Sequence, residues 1–156
     1  MEFKHLQEVL AEYSKEIEER YKQNLEDSGR KATGNLITSV TTKVVVDGNE
    51  LAIDLDLADY WKYVENGRSA GRFPPVNKIL EWIRIKPVLP YPDARGNLPT
   101  EEQLAFLIGR KIAEEGFEGS NDLSDTLEEV DYEKRIIQAL DADILGALDE
   151  IFVLLQ

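Results

Sequence analysis

Residues 40–57 read Val-Thr-Thr-Lys-Val-Val-Val-Asp-Gly-Asn-Glu-Leu-Ala-Ile-Asp-Leu-Asp-Leu. On the near side Val40, Thr42, Val44 and Val46 alternate with Ser39, Thr41, Lys43 and Val45. On the far side Leu51, Ile53, Leu55 and Leu57 alternate with Ala52, Asp54 and Asp56. A period of two means one buried face and one wet face, and Asp47-Gly48 is a strong turn dipeptide. The stretch therefore predicts a β-hairpin over 36–57. A two-stranded hairpin is marginal alone, so helices must cover it. The expected class is α+β: a small antiparallel sheet built on one hairpin and packed by several helices.

Towards the N-terminus, residues 1–28 form a helical segment. Phe3, Leu6, Leu10, Tyr13, Ile17, Tyr21 and Leu25 recur at spacings of three and four, and Ser28-Gly29 stops the pattern. Residues 30–35 form a polar connector to the hairpin. Towards the C-terminus, residues 58–116 predict helices broken by a loop. The first is short, over 58–66, and ends at Gly67. Pro74-Pro75 opens a second, through about Ile85, with Val76, Ile79, Leu80 and Ile83 as its apolar stripe. Its Trp82 is expected to lie buried against the first and last helices. Pro87, Pro90, Pro92 and Pro99 punctuate a loop over 86–99, a length that is usually functional or mobile. Thr100-Glu101-Glu102-Gln103 is a capping box for a helix with Leu104, Phe106, Leu107, Ile108 and Ile112 inward, ended by Gly116. Residues 117–128 look acidic and irregular, with a short strand near Phe117. A long helix over 130–155 should face Tyr132, Ile136, Ile137, Leu140, Ile144, Leu145, Leu148, Ile151 and Phe152 inward. The whole chain, 1–156, reads as one domain.

Net charge is −13, unevenly spread. Residues 62–113 hold nine Lys/Arg against five Asp/Glu, a local +4, whereas residues 114–156 hold two against thirteen, a local −11. General acidity disfavours nucleic-acid binding as the main task, because phosphate contact needs clustered Lys/Arg. With no cysteine, thiolate chemistry and disulfides are excluded. With His5 as the single histidine, a multi-His metal site is hard to build. No run approaches a membrane span, and Met1-Glu2-Phe3-Lys4-His5 lacks an apolar signal core. The expectation is a chain made and kept in the cytoplasm, without membrane contact.

Three groupings invite a chemical reading. Asp54 and Asp56 could form a metal-binding pair, with Glu65 completing a nuclease-like set, but both aspartates fall on the wet phase of an alternating strand. The loop 67–72, Gly-Arg-Ser-Ala-Gly-Arg, has the glycines and cations of an anion site but not the Gly-Lys-Ser/Thr ending of a phosphate loop. It reads as an exposed connector carrying interface arginines. Tyr60, Trp61, Tyr63 and Phe73 form a dense aromatic group suited to core edges and contacts alike. No cofactor, metal or catalytic residue is assigned. Tyr60, Trp61, Tyr63, Arg68 and Arg72 are the suspected interface.

The order of motifs resembles the tail-completion and neck (head–tail joining, minor tail) protein family of tailed bacteriophages. An N-terminal helix precedes Thr33-Gly34-Asn35-Leu36-Ile37-Thr38-Ser39-Val40 and then a hairpin. An aromatic helix ending in Glu-x-Gly follows, Tyr60-Trp61-Lys62-Tyr63-Val64-Glu65-Asn66-Gly67. Phe73-Pro74-Pro75 to Trp82 and Gln103-Leu104-Ala105-Phe106 to Glu115-Gly116 continue the pattern. The resemblance covers about residues 3–120. After Gly116 the chain departs from it, with Ser120-Asn121-Asp122-Leu123 where many members have a Pro-Phe strand. The resemblance implies a structural virion protein, not an enzyme. It implies a homo-oligomeric ring that meets other neck, portal or tail proteins and lets DNA pass through its lumen without specific binding. A tail terminator or minor tail protein on the same fold is the alternative, and a metal-dependent nuclease a more distant one.

Overall fold

The structure, a computed structural model, describes residues 3–29, 34–47, 50–86 and 88–154. Seven helices and two short antiparallel sheets stand among them, which makes the protein α+β. The first helix, α1 (Lys4–Asp27), organises the rest. Its stripe of Leu10, Tyr13, Ile17, Tyr21 and Leu25 is buried, as the spacing predicts.

The hairpin lies across α1. Strand β1 (Thr41–Asp47) pairs antiparallel with β2 (Glu50–Asp56), from Thr41 opposite Asp56 to Asp47 opposite Glu50. The predicted turn residue Gly48 lies outside the described residues. In β2 the alternation holds: Leu51, Ile53 and Leu55 turn inward while Ala52, Asp54 and Asp56 are exposed. Ile53 packs against Tyr13, Ile17 and Val130, and Leu55 against the cluster of Tyr21, Leu25, Leu36 and Val40. Both are partly buried, so each contributes a part of the about 1.5–3 kcal/mol that full burial of such a side chain gives. Glu18 fastens the sheet to the helix, accepting from the Thr42 amide at 3.0 Å.

Residues 35–39 correct the predicted start of the hairpin. They form a short helix, α2 (Asn35–Ser39), and the strand begins at Thr41. The reason is local. Gly34 takes the left-handed conformation, the Thr38 and Ser39 hydroxyls bond back to carbonyls of the same turn, and Leu36 is thereby turned into the core.

Beyond the hairpin come α3 (Trp61–Asn66), β3 (Gly67–Arg68), α4 (Val76–Ile85) and α5 (Glu101–Glu115). The capping box of α5 is formed, with the Thr100 hydroxyl accepting from Gln103 N and the Gln103 side chain from Thr100 N. α4 and α5 pack on one another around Ile79, Ile83 and Ala105. Trp82 is not buried against the first and last helices: it is 37% exposed. Ile79 and Ile83 take the face that meets α5, and Trp82 falls off that stripe.

The acidic segment is not irregular. After β4 (Phe117–Glu118) it forms α6 (Asp122–Glu129), and the chain ends in α7 (Glu133–Leu154). α7 runs antiparallel to α1. Tyr132 stacks on Tyr13 at 5.4 Å between centroids, Arg135 pairs with Glu12 and Glu16, and Asp143 meets the start of α1. Among the described residues no helix is long and apolar enough to cross a membrane.

Candidate functional site

At the junction between the aromatic helix and the chain after Gly116 the backbones approach closely. β3 pairs antiparallel with β4, Gly67 opposite Glu118 and Arg68 opposite Phe117. The backbones approach so closely that a Cβ at Gly67 would overlap the Phe117 carbonyl oxygen, and one at Gly119 the Glu65 carbonyl oxygen. Gly67 also has φ +71°, a conformation costly for other residues. Across this crossing Val64 O accepts from Ser120 N and Glu65 O from Asn121 N. The Glu65 side chain, 4% exposed, accepts from Leu123 N and Ser124 N at 2.9 Å each and from Ser124 Oγ at 2.8 Å. It caps α6 from another helix, since Asn121 at the N-cap makes no side-chain cap bond. A carboxylate at a helix N-terminus satisfies orphan amides and opposes the positive end of the dipole.

This employment removes Glu65 from the nuclease-like set. Asp54 and Asp56 stay on the exposed face of β2, and Asp54 lies 3.6 Å from Lys43. Among the described residues no three His, Asp or Glu side chains cluster so as to hold a metal ion.

The suspected interface residues divide. Trp61 is partly buried against the Tyr21 cluster, with Lys62 Nζ 5.9 Å from its ring centroid. Tyr60 and Tyr63 are exposed. The Arg68 guanidinium donates to Arg72 O at 2.7 Å, and Gly71 N donates to Ala113 O, so the 67–72 loop is tied to the end of α5. Neither arginine has a carboxylate partner among the described residues. Next to them Phe73 stacks on Phe106 at 5.5 Å. Gly109 makes room for the Phe73 ring, which a Cβ there would strike. Phe106 and Leu107 are exposed and, with Pro99, Glu102 and Gln103, line a shallow groove of about 470 Å³.

One surface was not legible as such in the sequence. Asp143 Oδ1 and Oδ2 accept from His5 N and Leu6 N, at 3.0 and 2.9 Å, and the His5 ring nitrogen lies 2.8 Å from Oδ1. α1 therefore begins level with Asp143, while α7 continues for eleven more residues, to Leu154. At 1.5 Å per residue that is an overhang of about 16 Å. Ile144, Leu145, Leu148, Ile151, Phe152, Val153 and Leu154 are all exposed. This corrects the expectation that Ile137, Ile144, Leu145, Leu148, Ile151 and Phe152 face inward. The packed face of α7 is instead a narrow one centred on Ala139 and Asp143. The available signal was the adjacent apolar pairs Ile136-Ile137, Ile144-Leu145 and Ile151-Phe152, which make a helix apolar on two sides rather than one.

Comparison with protein families, with curated proteins and with solved structures finds no match to this chain.

Proposed function

We propose that this chain is a structural protein of a tailed bacteriophage or prophage, a ring-forming subunit of the neck or tail-completion region that joins head to tail. The observation that carries the reading is the unpartnered apolar surface of α7, from Ile144 to Leu154. Contiguous exposed apolar surface of this kind supports a protein–protein contact. The identity of the assembly rests on the order of motifs that resembles the neck and tail-completion family. The α3 Glu-x-Gly end supports that resemblance, because Glu65 and Gly67 are the residues on which the crossing with β4 and α6 depends. An excess of acidic side chains suits a ring whose lumen passes DNA without retaining it, since like charges repel at short range.

Electron microscopy of the purified protein, with antibody labelling of particles from the host, tests the proposal. Closed rings and label at the head–tail junction are expected. A monomer at every concentration together with unlabelled particles overturns it, as does magnesium-dependent cleavage of DNA by the pure protein.

A further inference from the structure

The two ends of α1 carry unlike surfaces. At its start Asp143 meets residues 5 and 6, and the α7 overhang runs on past it. Near its other end Tyr21 and Leu25 pack against Trp61 and Val64 of α3, the helix that leads into the β3–β4 crossing. At 1.5 Å per residue the two places are about 25 Å apart along the helix. The overhang of one chain therefore points away from that chain's own crossing.

The overhang presents apolar side chains together with exposed Asp149 and Glu150. Neither carboxylate has a cationic partner among the described residues, and after Arg135 the sequence contains no Lys or Arg. The crossing presents the opposite sign. Arg68 stands directly opposite Phe117 in the antiparallel register, and residues so paired put their side chains on one face. Gly67 and Glu118 alternate to the other face. The Arg68 guanidinium reaches Arg72 O, which gathers the two arginines beside the exposed Phe117 ring. The cations at this end of α5, Arg110 and Lys111, are offset by Glu114 and Glu115, whereas Arg68 and Arg72 have no carboxylate among the described residues.

We infer that the α7 overhang of one copy docks on the Arg68–Phe117–Arg72 patch of the next, with Asp149 and Glu150 against the two arginines and apolar side chains against the Phe117 ring. The inference rests on the reading of the chain as a ring subunit and names the two faces of that ring contact. The occupant is a second copy because each surface carries the charge that the other lacks. Overhang on overhang would set carboxylate against carboxylate, and patch on patch arginine against arginine, so either two-fold pair is disfavoured. A contact between opposite ends of the molecule repeats head to tail and closes into a ring when the rotation permits.

Charge exchange tests this. One variant carries Arg68→Glu and Arg72→Glu, the other Asp149→Lys and Glu150→Lys. None of the four side chains is buried, so both variants should fold, which urea denaturation checks. In sedimentation at low salt each variant alone should associate about tenfold more weakly than the wild type, or worse. An equimolar mixture should regain association, because the acidic patch of one variant now meets the basic overhang of the other. A second measurement uses the absence of cysteine and leaves all four charges in place. Leu148→Cys mixed with Ser69→Cys should be joined by a short thiol-to-thiol cross-linker, and neither should join to itself. Cross-linking of Leu148→Cys with itself overturns the inference in favour of paired overhangs. A wild-type oligomer with both charge variants unchanged and no mixed cross-link overturns it while the ring reading stands. A wild type monomeric at every concentration overturns both.

Discussion

Tyr21 is fully enclosed, yet its hydroxyl finds no hydrogen-bond partner among the described residues. Burial pushes its pKa well up, and the nearby Glu65 and Asp122 carboxylates add to the shift. A buried unpartnered hydroxyl is a net cost to folding. Tyr21→Phe should therefore raise stability by up to ~1 kcal/mol in urea denaturation; a fall of that size would mean the hydroxyl is satisfied. At the far end of α1, Asp143 carries the opposite logic. Burial pushes its carboxyl up, but the amides of Leu6 and His5 and the His5 ring outweigh it and hold the group below the usual range. A folded-state pKa below the unfolded one gives stabilisation that is present above the unfolded value, about 4, and is lost as pH falls through the folded value. Asp143→Asn should lower stability at neutral pH and flatten the acid limb between about pH 5 and pH 2. Equal acid slopes in the two proteins would contradict this.

Among the elements, α6 depends most on another part of the chain. Its N-terminal amides are capped by Glu65 from α3 across the β3–β4 crossing. Removing a buried charged acceptor leaves two amides and the Ser124 hydroxyl without it, so Glu65→Ala should cost about 3 kcal/mol. Amide exchange at Leu123 and Ser124 should speed up beyond what global destabilisation explains, because the helix start is uncapped. Glu65→Gln, which keeps one acceptor oxygen, should lose less. The loop over 88–99 is another element with a local anchor. Asp93 accepts from Arg95 N and Asn97 N, while Leu89, Tyr91 and Leu98 remain exposed.

For the molecule as a whole, the α7 overhang separates folding from assembly. Residues 148–154 are all exposed, so ending the chain at Ala147 should change the unfolding free energy of the monomer by no more than ~0.5 kcal/mol. The same truncation should abolish self-association in sedimentation. A truncated chain that fails to fold would show that the overhang belongs to the core. What the residue pattern settles, and what it leaves to packing, follows from the range of the forces. Hydrophobic period and capping chemistry act over a few residues. That is why α1, the two strands, Gly67 as the end of α3 and the Thr100 capping box can all be read directly from the chain. The same period cannot say which of two apolar stripes on α7 meets α1, or that Trp82 stays at the surface, because both depend on which helix arrives opposite. Nor could it show that the acidic stretch after Gly119 is a helix, whose cap is a carboxylate 58 residues away in sequence. The fold class was therefore legible. The overhang, the groove and the Glu65 junction exist only once distant elements are packed, since burial and tertiary hydrogen bonds are properties of pairs of elements and not of either alone.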